Sequence, residues 1–197
     1  MIVLASNSAT RRAMLTAAGV AHEAMSSGVD EEAAKLALRA DGLGARDLAD
    51  ALAELKALRV SARLPGALVL GADQTLELED GSMLDKAEDR AAAAAQLRLL
   101  SGRTHSLYSA AVIADQGRPV WRHIDRAKLT MRPLSDAFIE SYLDLEYGES
   151  AGCVGCYRIE GPGAQLFSKV EGSHFTILGL PLLPLLDYLR TRGMMAS

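Results

Sequence analysis

The sequence predicts an α/β protein: a long, twisted, mixed β-sheet flanked by helices, with two lobes and an intervening cleft. Three observations predict it. Apolar strand-like runs and helical runs alternate along the chain, opening β-α-α-α and continuing as mixed strands and helices. An Asp80-Gly81 pair between extended segments demands a hairpin, so some of the pairing is antiparallel. The composition, 49% hydrophobic and 23% charged, is that of a soluble globular chain with a sizeable core. At 197 residues the chain fits a single domain over 1–197, its two lobes sharing one core.

Each element follows from local chemistry. Ile2 to Ala5 is a short buried strand, and Ser6-Asn7-Ser8 is the polar turn that opens a helix from Ala9 to Ala18, stopped by Gly19. Helices over Glu31–Arg39 and Asp47–Arg63 follow, separated by Gly42 and Gly44. Leu48, Leu52, Leu55 and Leu58 mark the second with near-helical spacing. Pro65-Gly66 ends it, and Ala67 to Asp73 is an apolar strand with a polar tip. Gln74 to Glu79 alternates as a further strand running into the Asp80-Gly81 turn. Ala87 to Leu100 is an Ala-rich helix ending at Ser101-Gly102, and strands Ser106–Ala114 and Pro119–Met131 come next. Ser135 caps a helix to about Glu146, two strands flank Gly161-Pro162-Gly163, and Leu182 to Arg192 closes the chain as a helix.

The bulk charge excludes several function classes. With 21 basic and 25 acidic residues the formal charge is -4, which suits neither a nucleic acid polymer nor a membrane surface. No apolar run reaches the roughly 18 residues of a membrane span. The N-terminal Met1 to Ala5 lacks the basic flank of a signal peptide, so a cytoplasmic protein is expected. Cys153 and Cys156, spaced Cys-x-x-Cys, can be half a zinc site, a redox pair or structural residues. Ala151 to Tyr157 reads as a Gly-punctuated strand, which would not activate a thiol.

Three groups of residues can carry chemistry. Ser6, Ser8, Thr10, Arg11 and Arg12 sit at a strand-to-helix junction, where free N–H groups, hydroxyls and guanidinium forks favour phosphate. There is no Walker A loop, and the same residues also fit an ordinary Ser-capped helix with solvated arginines. Asp73 ends an apolar strand, a frequent position for catalytic or metal-binding carboxylates, and equally one for a turn aspartate. Asp30 and Glu31 can supply metal carboxylates or simply favour a helix N-terminus, and Lys56 and Lys86 can meet phosphate or solvent. Histidines 22, 105, 123 and 174 show no metal-ligand spacing.

Taken together, these segments resemble the Maf family of nucleotide pyrophosphatases. The resemblance is carried by Leu4-Ala5-Ser6-Asn7-Ser8 with Arg11-Arg12, Val29-Asp30-Glu31, Lys56-Ala57 and Gly71-Ala72-Asp73. It continues through Lys86, Leu100 to His105, Gly155 to Gly163, Glu171-Gly172 and Gly179-Leu180-Pro181-Leu182, in order from residue 2 to about 190. It implies a Maf/ITPase-like fold and a house-cleaning enzyme that converts nucleoside triphosphates to the monophosphate and pyrophosphate. It also implies a divalent cation (Mg2+ or Mn2+), a cleft between lobes and a homodimer. By motif, Asp73 is the proton acceptor and a metal ligand, and Asp30 and Glu31 help place the metal. Ser6, Ser8, Arg11, Lys56 and Lys86 hold the triphosphate. Thr10, Gln74 and Glu160 are base-specificity positions, and Gln74 with Glu160 resembles the branch acting on 7-methyl-GTP. Three departures stand out: Ala9 for the usual Pro, Thr10 for the Trp of that branch, and Asp85-Lys86-Ala87 for Gly-Lys-Pro. Two further readings compete: a non-catalytic nucleotide-binding regulator of septum formation, and a zinc or redox module built on the cysteine pair.

Overall fold

Period-two alternation and helical stripes interlock as the sequence requires. The computed structural model describes residues 1–196. Its strands are β1 (Ile2–Leu4), β2 (His22–Ala24), β3 (Val69–Leu78), β4 (Met83–Leu84), β5 (Thr104–Asp115), β6 (Arg118–Met131) and β7 (Phe167–Glu171). Its helices are α1 (Ala9–Ala17), α2 (Glu31–Ala40), α3 (Ala45–Ser61), α4 (Arg90–Leu100), α5 (Asp136–Ser150), α6 (His174–Ile177) and α7 (Leu182–Thr191). Among the described residues the strands form one mixed sheet, ordered β2-β1-β3-β5-β6-β7 with β4 on β3. β1 runs parallel to β2 and β3, whereas β3 pairs β4, and β6 pairs β7, antiparallel. The α/β fold with a mixed, helix-flanked sheet is therefore present.

The chain divides into two compact units. The first comprises Met1–Gln74, Tyr108–Asp125 and the segment beginning at Ser173; the second comprises Thr75–Leu107 and Arg126–Gly172. In the first unit, one face of the strands buries Ile2, Leu4, Leu70, Ala72, Ala111 and Ile113 with Leu15 of α1 and Leu185 and Leu189 of α7. Residues one step along each strand face the other way. Ala110 and Val112 meet Ala49, Ala53 and Ala57 of α3, and Val3 and Val69 meet Val60. A one-residue slip of β3 would exchange these two sets.

In the second unit, α4 and α5 are clamped by arginines. Arg90 reaches Glu140 and Asp144, and Arg98 reaches Asp136 and Glu140. Asp89 caps α4 by accepting the Ala92 N–H, which moves the helix start three residues past the expected Ala87. Ser135 caps α5 as its sequence predicts, by accepting the Phe138 N–H.

Several expectations need correction. Asp73 does not end a strand: β3 runs unbroken from Val69 through Asp73 and Gln74 to Leu78. The Ala151–Tyr157 segment is a series of turns with Cys156 at φ 58, because its two glycines and short side chains favour tight reversals over a ladder. Only β7 follows Gly161-Pro162-Gly163, which itself opens a short 3-10 helix with Pro162 in its first turn. β2 and α6 are additions, each too short to leave a periodic signal.

Candidate active site

The first unit brings a cluster of sequence-singled residues together. The closest approach in it comes from a missing side chain. A Cβ on Gly71 would lie 2.1 Å from the Ala53 carbonyl oxygen and 2.9 Å from the Ala57 Cβ, so only glycine lets β3 lie this close to α3. Two residues along the same face of β3 is Asp73, and next to Ala57 on α3 is Lys56. The close approach puts the Lys56 Nζ 2.6 Å from Asp73 Oδ1, with both side chains nearly free of solvent contact, at 5% and 7% exposed. Lys56 thus projects from a leucine- and alanine-rich helix to end on a carboxylate, and is not a plain surface lysine.

The same ammonium donates to Glu31 Oε1 at 3.0 Å. Glu31 is the first residue of α2, and Asp30 before it caps that helix by accepting the Ala33 N–H at 3.1 Å. The structure therefore separates the two acidic neighbours: Glu31 turns toward Lys56, while one Asp30 oxygen holds the helix end. Asp73 Oδ2 is buried and accepts no hydrogen bond from the described residues. Leaving a carboxylate oxygen dry and unpaired costs on the order of 1–3 kcal/mol, which folding tolerates where a ligand supplies the missing partner.

Arg11 comes from the other face of the sheet. Ser8 caps α1 by accepting the Arg11 N–H, Ser6 Oγ accepts the Ser8 N–H at 3.2 Å, and Arg11 Nη1 reaches Ser6 Oγ at 3.4 Å. Arg11 Nε donates to the Gly179 carbonyl at 2.7 Å. Burial lowers the guanidinium from its ordinary value, and the negative charges of Asp73 and Glu31 pull it back up. An arginine stays cationic under such a shift. Arg11, Asp73 and Glu31 thus share one electrostatic environment. Two cations balance two carboxylates there, while the guanidinium keeps unspent N–H donors and both serines keep a hydroxyl proton.

Thr10 is half-buried in the first turn of α1. Gln74, on the face of β3 opposite Asp73, donates from Nε2 to Ser109 Oγ and to the carbonyls of Thr176 and Ile177. Lys86 and Glu160 belong to the second unit, where both are exposed and act on the charge of Cys153. Burial pushes both thiols above their ordinary value, and the Cys156 thiol donates to Gln96 Oε1. Such thiols are poor nucleophiles. Among the described residues no group of three His, Cys, Asp or Glu side chains is arranged to enclose a metal. No helix among them is long and apolar enough to cross a membrane.

Sequence reasoning missed Gly71 as the packing device, and Ser109, Thr176 and Gly179 as the frame around Arg11. The signals existed as a glycine two residues before Asp73 and a glycine closing a very short helix. Their meaning depends on partners 14 to 168 residues away.

Known proteins give the same segments a context. The family model for Maf-like protein matches residues 1–192. A nucleoside triphosphate pyrophosphatase of Sphingopyxis alaskensis is 53% identical over 193 residues, 98% of each chain. One of Caulobacter vibrioides is 53% identical over 192 residues, covering 98% of this chain and 96% of that one. A 7-methyl-GTP pyrophosphatase of Mesorhizobium japonicum is 51% identical over 192 residues, with the same coverage.

Proposed function

This chain belongs to the Maf family, and from that membership we propose that it is a nucleoside triphosphate pyrophosphatase, acting as a single Maf-like domain. It hydrolyses nucleoside triphosphates to the monophosphate and pyrophosphate. The single observation that carries the site assignment is the buried Lys56–Asp73 contact with an open carboxylate oxygen beside it.

The donor set fits a divalent cation, Mg2+ or Mn2+. Asp73 Oδ2 is without a protein partner, and Glu31 lies across the same ammonium. Mg2+ is commonly held by one or two carboxylates together with substrate phosphates, and needs no all-protein cage. Bound there, such an ion would neutralise phosphate charge and polarise the phosphoryl oxygens. Asp30 contributes by fixing the start of α2, and so the place of Glu31.

The remaining steps belong to side chains. Arg11 forks onto the triphosphate with its free N–H groups, and Ser6 and Ser8 donate hydroxyls at the N-terminus of α1. Lys56 orients Asp73 through its 2.6 Å contact and adds positive charge. Asp73 takes the proton of a water attacking the α-phosphorus in line with the leaving pyrophosphate, help typically worth about 10²- to 10⁴-fold. Lys86 serves as a further phosphate contact. Intact Asp73, Lys56 and Arg11 favour this reading over a non-catalytic regulator of septum formation.

For the substrate we favour a modified nucleotide, 7-methyl-GTP. Glu160 can accept from the N1–H and N2 edge of guanine and attract the methylated, cationic ring. Thr10 and Gln74 are the other positions the resemblance assigns to the base. A homodimer in the cytoplasm, acting on free nucleotides and neither on a nucleic acid polymer nor at a membrane, completes the proposal. Pyrophosphate release from 7-methyl-GTP, dTTP, UTP, CTP and ITP tests it: 7-methyl-GTP leads the panel, and a clear dTTP preference overturns the substrate assignment.

A further inference from the structure

Gln74 stands next to Asp73 on β3, yet its amide is used elsewhere. Nε2 donates to three acceptors: Ser109 Oγ at 3.0 Å, the Thr176 carbonyl at 2.9 Å and the Ile177 carbonyl at 3.0 Å. Ser109, fully buried on β5, donates its own hydroxyl to the same Thr176 carbonyl at 2.7 Å. The Gly179 N–H closes onto that carbonyl at 3.1 Å. Three donors therefore converge on one oxygen at the end of α6. The Thr176 side chain is held as well, its hydroxyl donating to Asp125 Oδ2 at 3.4 Å. Four residues of helix cannot hold themselves in place, because nucleating a single turn is unfavourable.

What that anchored turn presents is the Gly179 carbonyl. Gly179 has a left-handed φ of 95, and a Cβ there would come 3.3 Å from Arg11 Nη2. Its carbonyl receives Arg11 Nε at 2.7 Å and so sets the direction in which the rest of the guanidinium points. From Gln74 to Arg11 the path is one hydrogen bond, three residues of backbone and one more hydrogen bond.

We propose that Gln74 is a positioning residue for Arg11, aiming the guanidinium at the triphosphate through the backbone of residues 176–179. The inference rests on the triphosphate reading of the site. The Nε2 donors of Gln74 are committed to the protein, so the positioning role runs through the nitrogen and is separate from any contact made by Oε1. Through Nε2, Gln74 governs the grip on the part of the substrate common to all nucleoside triphosphates. Losing its amide weakens every nucleotide, and bare pyrophosphate.

Gln74→Met keeps the side-chain length and removes the donors. The readouts are KM and kcat for 7-methyl-GTP, dTTP and UTP, and the inhibition constant of inorganic pyrophosphate, in Gln74→Met, Arg11→Met and the double variant. A misaimed Arg11 raises KM for each nucleotide and the pyrophosphate constant by about tenfold. Gln74→Met adds little to these losses once Arg11 is gone. An unchanged pyrophosphate constant overturns the proposal, as does full additivity with Arg11→Met. If Gln74→Met does not fold, Ser109→Ala removes one of the three donors to Thr176 and must raise the same constants by a smaller factor; unchanged constants overturn it. Should the wild type release pyrophosphate from no nucleotide, the functional reading fails. Calorimetric titration of inorganic pyrophosphate onto wild type and Gln74→Met then still decides the positioning role.

Discussion

At Asp73 the two carboxylate oxygens have different fates: Oδ1 takes the Lys56 ammonium, and Oδ2 is buried with no hydrogen-bond donor among the described residues. Lys56 is the hinge of this arrangement, because its ammonium contacts both Asp73 and Glu31. Lys56→Met keeps the aliphatic stem and leaves a buried carboxylate without its cation, a change that destabilises by about 3–5 kcal/mol. Urea unfolding should show that loss, and adding Asp73→Leu should recover part of it, since breaking a buried pair costs more than replacing it. Equal or greater loss in the double variant would contradict the pairing. Sequence alone could not distinguish this lysine from a surface one. Its helix stripe is legible, but its partner lies 17 residues away on another element. Asp30 and Glu31 show the same limit: adjacent carboxylates at a helix start part company, one to cap and one to pair.

The strand β3 and the helix α3 decide where those charges meet. Val69, Gly71 and Asp73 share one face of β3, and Val60, Ala57 and Lys56 answer them in reverse order along α3. Gly71→Ala puts a methyl within 2.1 Å of a backbone oxygen, which no rotamer relieves. Overpacking of this kind typically costs about 1–3 kcal/mol, and the helix must retreat to accept it. The expected outcome is a lower denaturation midpoint together with a fall in kcat, as Lys56 is drawn from Asp73. A variant as stable and active as the wild type would contradict the close approach. The apolar alternation of β1, β3 and β5 and the leucine stripe of α3 were legible because period two and period 3.6 are local signals. The turns over 151–157 were not, since a glycine-rich run fits either a kinked strand or successive turns until its partners are known.

Across the molecule, stability carries a pH signature from the second unit. His105 is buried against Tyr157 and Phe167, with Nε2 2.7 Å from the Tyr157 hydroxyl, and burial lowers its pKa from 6.5 to about 4. Above pH 6.5 the imidazole is neutral folded or unfolded and contributes no slope. As pH falls toward 4 the unfolded chain binds a proton that the folded one refuses, so stability is lost through that window. The loss reaches at most about 3 kcal/mol from this group. Thermal unfolding at pH 7, 5.5 and 4 should show the decline, and His105→Phe should flatten it; an equal decline in both proteins would contradict the assignment. The α/β class was readable from the alternation of strands and helices, and the candidate site residues stood out as an ordered set of segments, whereas the Gly179 frame behind Arg11 depended on contacts between distant parts of the chain. The central claim is that Asp73 performs the proton transfer of triphosphate hydrolysis. Pyrophosphate release by folded Asp73→Asn, measured at saturating nucleotide and Mg2+ beside the wild type, tests it most directly. A fall in kcat of at least about 10²-fold is predicted; turnover within a few-fold of the wild type would contradict it.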